Sequence, residues 1–366
     1  MPIDKTISAS HGLDPDRLPG VDLDIDLPDG IALSTTRAAI WQGFSYCWRK
    51  DPHRLTHVTS EVSGFADLND GGRHGVRFRH RAVLAVGDFP DQGDIVSFVT
   101  RIGSPDLRFV HGSTTTRLSG PIGQQLRATR APITVELPFP IGTALTAAVV
   151  LRGFSVDVVS RPDGYTARGF GAGVTDDSLA GNTFRFRPTF FVHVDNNPDR
   201  PAQASGNDIV YDVTVHYCVV AAPQGRAAFH ATGPDPIDYT DTDIGPRPVL
   251  HVARGQGGGA FPHAAFGIRR FEWNLDEVHP LGLDGRYVRL VHNYVATTSY
   301  APGSGEAACQ VVRWFSNEGL VSLSFAARHQ MDLLLVQLAA GPAPAAGVVH
   351  TAVGGTADAI EQVVTL

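Results

Sequence analysis

His193, Asp195 and His216 are the residues whose types and spacing come nearest to chemistry. His193-x-Asp195 falls on a stretch of alternating apolar and polar residues, so the two side chains share one face of a strand. His216 sits on the Val-rich strand that ends the same segment. Two imidazoles and a carboxylate suit a divalent metal, and such a centre would make the chain a metal-dependent enzyme. The same spacing also describes the solvated face of a sheet. In the matching segment nearer the N-terminus Ala85 and Gly87 replace His193 and Asp195, so the fold does not need the pair. A structural role is the expectation, and metal-dependent catalysis ranks last of three functional readings.

Other motifs carry less. His53 and His57 flank a turn rather than lying on one helix face. Gly169–Gly173 (GFGAG) and Gly255–Gly259 (GQGGG) imitate phosphate loops, but neither carries the Lys-Ser/Thr pair that grips phosphate. Both are expected as flexible turns. Lys5 and Lys50 are the only lysines, which leaves little room for Schiff-base or P-loop chemistry. No catalytic residue is assigned, and no cofactor is expected.

Binding is better supplied. Trp48 and Trp273 follow a recurring phenylalanine at the entry to turns, where an exposed indole stacks on a sugar ring or anchors a protein interface. Core filling is the competing expectation for both. Arg77 and Arg79 flank Phe78, and Arg185 and Arg187 flank Phe186. In each case the phenylalanine is expected inward and the arginines outward, available to acidic strands such as that bearing Asp22, Asp24 and Asp26. That pairing would lie between copies of a repeat or between subunits.

The elements that hold these residues repeat. Ile25–Ser45 aligns without a gap to Val135–Ser155, Val76–Asp91 to Phe184–Asp199, and Asp94–Thr100 to Asp208–Thr214. The unit is therefore about 110 residues, the size of one domain. A degraded third copy is marked by Ala265–Phe271 (AFGIRRF), which follows the pattern of Ala148–Phe154 with Arg270 in place of the glycine. Asp332–Leu338 supplies its closing strand.

Nearly all of this text has the period of two that marks β-strands, as in Val21–Leu27 (VDLDIDL). Asp-Pro at residues 51 and 52, Arg161–Gly164 (RPDG) and Leu283–Arg286 (LDGR) are expected as hairpin turns. Only Thr356–Val364 has a helical pattern. The predicted fold is all-β: two clear tandem antiparallel β-sandwiches and a third, of jelly-roll or immunoglobulin-like wiring, with very little helix. The expected division is an N-terminal arm at 1–20, copy one at 21–113 and copy two at 114–230. An acidic Pro-rich linker at 231–248, copy three at 249–340 and a Pro/Ala/Gly linker with a C-terminal tail at 341–366 complete it. The tail strand is expected to pack on a neighbouring subunit or to return to its own domain.

Composition excludes more than it selects. A net charge of −7 argues against coating nucleic acid, and no stretch is long and apolar enough to span a membrane as a helix. Cys47, Cys218 and Cys309 are widely spaced, which favours buried free thiols over a disulfide framework. The first residues lack the apolar core of a signal peptide, so cytoplasmic synthesis is expected, with release as part of a particle left open. The leading functional expectation is a non-enzymatic structural or binding subunit of a larger assembly, capsid-, tail- or adhesin-like, that self-associates or binds another protein. A carbohydrate-binding lectin is the first alternative.

Overall fold

A computed structural model describes residues 21–25, 37–49, 55–70, 73–86, 93–160, 165–196, 208–233, 237–240, 248–278, 288–318, 325–340 and 347–354. These are strands and short turns, with no helix among the described residues. The all-β class therefore stands. The helix expected over Thr356–Val364 lies outside the described residues.

Copy one supplies β1 (Val21–Ile25), β2 (Arg37–Arg49), β3 (Leu55–Asp70), β4 (Arg73–Val86), β5 (Gly93–Gly103) and β6 (Arg108–Gly120). Copy two supplies β7 (Gln125–Thr129), β8 (Ile133–Glu136), β9 (Leu145–Ser160), β10 (Tyr165–Ala180), β11 (Thr183–Asn196), β12 (Ile209–Pro223) and β13 (Ala227–Thr232). After β14 (Ile237–Thr240) in the connecting segment, copy three supplies β15 (Pro248–Arg254), β16 (His263–Val278), β17 (Val288–Ala301), β18 (Glu306–Glu318), β19 (Phe325–Leu338) and β20 (Gly347–Gly354). With β7 and β14 set aside, the same six strands recur three times in the same order. The third copy is a complete repeat.

The copies do not close sheets of their own. The first sheet runs β1-β4-β3-β9-β12-β6, and the third runs β15-β18-β17-β2-β5-β20. The second runs β13-β19-β16-β10-β11-β7, with β8 also on β11 and β14 also on β19. One rule generates all three. Each sheet takes four strands from one copy and inserts, between the third and sixth of them, the second and fifth strands of the next copy. Copy three borrows from copy one, so the chain closes a cycle with pseudo-threefold order.

Three expectations change in consequence. The Asp-Pro and Asp-Gly turns do not close hairpins: β2 and β3 lie in different sheets, as do β9 and β10, and β16 and β17. A turn signal marks a reversal but says nothing about which strand the chain pairs with afterwards. The division at residue 113 falls inside β6, and that at 230 inside β13. The tail strand β20 pairs with β5 of the same chain, Val348 opposite Ile102.

The core sits where the inserted strands converge. Phe44, Phe154 and Phe271, the recurring phenylalanine of the three copies, are fully buried and meet one another at ring-centroid distances of 5.0, 5.4 and 4.8 Å. Trp41 and Phe170 each lie within 6.2 Å of all three. Tilted and edge-on aromatic contacts of this kind add about 0.5–1.5 kcal/mol per pair beyond burial itself. The residue that made the repeat legible is therefore the residue that holds the copies together.

Candidate functional site

Each inserted strand bulges at the same place. The register slips between Trp41 and Gly43 in β2, at Gly153 in β9, and between Ile268 and Arg270 in β16, which leaves Gln42, Arg152 and Arg269 as the extra residues. A bulge twists the strand and re-aims side chains. Gln42 Nε2 donates to the Phe266 carbonyl at 2.9 Å. Arg152 and Arg269 keep a buried Nε–H with no acceptor among the described residues.

Beside each bulge the chain solves one packing problem in three ways. Gly43 and Gly153 have φ of 117° and 143°, a region that favours glycine. Over Gly43, Tyr294 of β17 stacks on Phe98 of β5, 4.0 Å between centroids. Over Gly153, His216 Nε2 of β12 lies 2.8 Å from Glu61 Oε2 of β3. In the second sheet the bulge strand carries Arg270, and the bare residue is now its partner Gly173 on β10. A Cβ on Gly173 would come within 2.6 Å of the Arg270 side chain. The glycine has changed strands, and Asp332 of β19 is left opposite Arg270.

That exchange exposes what the Gly169–Gly173 run does. It is not a flexible turn but the middle of β10, a central strand. A Cβ on Gly169 or Gly171 would collide with the backbone of β16, so the glycines admit a close approach. Side chains from the flanking strands then reach one another over the stripe. His193 Nδ1 of β11 lies 2.5 Å from Asn274 Oδ1 of β16, and both residues are buried. Arg127 of β7 donates twice to the buried Glu272 carboxylate, and its guanidinium lies 4.1 Å from the centre of the Phe191 ring. Arg270 donates to the same carboxylate at 3.3 Å. The Gly255–Gly259 run, in contrast, is the turn expected of it: Gly258 and Gly259 have positive φ, and their amides donate to Gly303 and Pro302 carbonyls.

At the end of this face a cavity of about 320 Å³ opens between β10, β13, β16 and β19. Arg269, Asp177, Asp332, Thr175 and Thr232 give it polar walls, and Val174 and Leu333 an apolar one. Arg269 Nη2 donates to Asp177 Oδ1 at 2.8 Å, a charge-assisted bond on a residue only 9% exposed. Asp332 makes no hydrogen bond or ion pair among the described residues.

The structure separates the residues that sequence grouped. His193 lies in the second sheet against Asn274, and His216 in the first against Glu61, so no shared metal set forms from them. No cluster of three metal-ligating side chains occurs among the described residues. Trp273 is 1% exposed and packs edge-on against Phe170, so it fills core and offers nothing to a glycan. Phe186 is buried between exposed Arg185 and Arg187, as expected. In copy one, the β1–β4 ladder pairs Asp24 with Arg79 and Asp22 with Arg81, so the acidic strand lies in register with β4 of its own copy. The side chains of Trp48, Arg77, Arg79 and Asp195 lie outside the described residues. Cys218 and Cys309 are free and buried, and burial pushes the Cys218 thiol up to about 12.

Sequence reasoning missed Arg127, Asp177, Arg269, Glu272 and Asp332. One signal pointed at the place: Arg270 stands where the other copies keep a glycine. No protein-family model, no curated protein and no solved structure matches the chain.

Proposed function

We propose that the chain is a non-enzymatic structural or binding subunit of a larger protein assembly, a single-chain pseudo-trimer that makes its contacts through outer strands. One observation carries this reading. β15 is the edge of the third sheet, and it exposes Val249, Leu250 and Val252 at 38, 63 and 51%. An edge strand presents unpaired amides and carbonyls, and proteins that stay monomeric usually guard such edges with charge or proline. Pro248 and Arg254 bracket this one, and His251 at its middle bonds to Thr232, but Leu250 and Val252 leave one face of it apolar and exposed. Strand addition by a second protein chain would pair that edge and cover Leu250 and Val252 together.

The interior supports the same reading by how its polar groups are used. His193, Glu272, His216 and Glu61 each answer another side chain, which suits scaffolding. Repetition of one strand set about a common core also sets out three related surfaces on one subunit, which suits multivalent contact.

Light scattering coupled to size-exclusion chromatography tests the proposal. The chain is expected to run as a multimer or to enter a complex with its partner, and the paired change Leu250→Lys and Val252→Lys is expected to return it to a monomer of unchanged melting temperature. A wild-type chain that stays monomeric and captures no partner overturns the proposal.

A further inference from the structure

We infer that the cavity walled by Arg269, Asp177 and Asp332 binds a neutral polyhydroxylated ligand, of the size and chemistry of one pyranose sugar. The inference goes beyond the assembly reading and does not depend on it.

Every sheet bulges twice in this region. The strand beside the Gln42, Arg152 or Arg269 bulge has a bulge of its own: between Ser63 and Phe65 in β3, Thr175 and Ser178 in β10, and Thr297 and Ser299 in β17. A bulge re-aims the side chain it carries. In the second sheet the two bulges aim opposite charges at each other, Arg269 and Asp177 at 2.8 Å. In the first sheet the bulge of β3 carries Ser63, Gly64 and Phe65, none of them charged. In the third sheet Gln42 spends its amide on the Phe266 carbonyl. The fold needs both bulges and does without the ion pair.

The outward face beside the pair is cleared as well. In the first sheet His216 has Glu61 and Ser113 as its ladder neighbours across β9 and β6, and His111 lies two residues from Ser113. In the second sheet Asp332 holds the place of His216, Gly173 that of Glu61 and Ala231 that of His111. Gly233, one step past the last pair of β13, holds the place of Ser113. Ladder partners and residues two apart share a face, so all these positions lie on the same side of the sheet. Three side chains of the first sheet are thereby cut to a hydrogen or a methyl group. The cavity of about 320 Å³ lies there, within the size range of small-molecule sites. A Cβ on Gly233 would lie 3.2 Å from Asp332 Oδ1, so the bare residue leaves that carboxylate open.

The charges on this face cancel. Arg127 and Arg270 donate to Glu272, Arg270 also stands opposite Asp332, and Arg269 answers Asp177. Arg127, Arg269 and Arg270 thus balance Asp177, Glu272 and Asp332. No net charge draws an ion, and inside the cavity an ammonium group meets Arg269 while a carboxylate meets Asp177 and Asp332. What the walls offer is hydrogen-bonding capacity of both signs. Arg269 spends one donor on Asp177, and its side chain, 11% exposed, lines the cavity. Asp332 accepts no hydrogen bond among the described residues, and the Thr175 hydroxyl stands between donor and acceptor. A ligand hydroxyl both accepts and donates. Adjacent hydroxyls of a sugar can therefore accept from Arg269 and donate to Asp332, each bond charge-assisted while the ligand stays neutral.

Ligand-observed NMR titration of the full chain with the methyl pyranosides of glucose, galactose and mannose tests the inference. Glucosamine and glucuronate serve as the cationic and anionic counterparts. At least one neutral glycoside is expected to bind saturably, about fivefold or more tighter than either charged sugar. Arg269→Gln, which installs the residue found at the β2 bulge, is expected to remove that binding. Ala231→Trp, at an exposed position outside the ion pair, is expected to remove it by bulk, and it decides the matter should Arg269→Gln fail to fold. Absence of saturation by all three glycosides at about 50 mM, a charged sugar that binds as tightly as the best neutral one, or undiminished binding by either folded variant would each overturn the inference.

Discussion

Glu61 and His216 come from different copies of the repeat and meet at 2.8 Å across a glycine, Gly153, that lies between them on the bulged strand. At the corresponding place in the third sheet Tyr294 and Phe98 stack across Gly43. The two pairs do one job, bridging a bare bulge, with different chemistry. Each side chain of the pair is largely buried, so loss of one member leaves a buried polar group short of a hydrogen-bond partner.

An exchange of one pair for the other follows. Glu61→Tyr alone is expected to destabilise the chain by roughly 1–3 kcal/mol, because it strands His216 and crowds it. Glu61→Tyr with His216→Phe is expected to recover most of that loss. Chemical denaturation of the single and double variants gives the coupling. Additive losses would contradict the correspondence of the two sites.

The glycine that changes strands offers a second test. Gly153→Ala is expected to cost several kcal/mol, roughly 2–4, because its Cβ meets the backbone of Ser60 and Glu61 and its φ is 143°. Gly173→Ala meets side-chain atoms of Arg270 and Thr189 rather than backbone, and its φ is not in the positive region, so it is expected to cost less. Arg270→Gly is expected to relieve it. Melting temperatures of the three variants and the Gly173→Ala, Arg270→Gly pair decide the matter.

Phe154 is fully buried and lies within 5.2 Å of Phe44, Phe170 and Phe271. Phe154→Ala is expected to cost about 3–5 kcal/mol, the usual penalty for a large buried ring. Because every sheet mixes two copies, that loss is expected to move one cooperative unfolding transition for the whole chain. Separate transitions for separate copies, seen by calorimetry, would speak against interlocked sheets.

Acid is expected to act through His111. Burial first, and then the Arg152 charge, lowers its pKa from 6.5 to about 4. The unfolded chain binds this proton more readily than the folded one, so stability falls as the pH drops from 6.5 and the loss is complete near pH 4. At 1.36 kcal/mol per unit the total is at most roughly 3 kcal/mol. His111→Ala, the residue that β13 of copy two carries at the corresponding place (Ala231), is expected to flatten this part of the stability–pH profile, as read by urea midpoints.

By itself the sequence determined the local facts. The period of two made strands legible, and three spaced occurrences of one phenylalanine marked the repeat, because alternation and spacing are properties of neighbouring residues. It also flagged Arg270 as the departure from the pattern. Strand partners were decided only in the tertiary structure. β2 and β9 look like members of separate domains, yet each pairs into a sheet built largely from another copy, because the unpaired edge it meets there is offered by residues far away in sequence. The candidate site followed from that exchange. Trp273 became core, His193 and His216 parted, and Arg269, Asp177 and Asp332 came together from β10, β16 and β19, a meeting that no spacing within any one strand records.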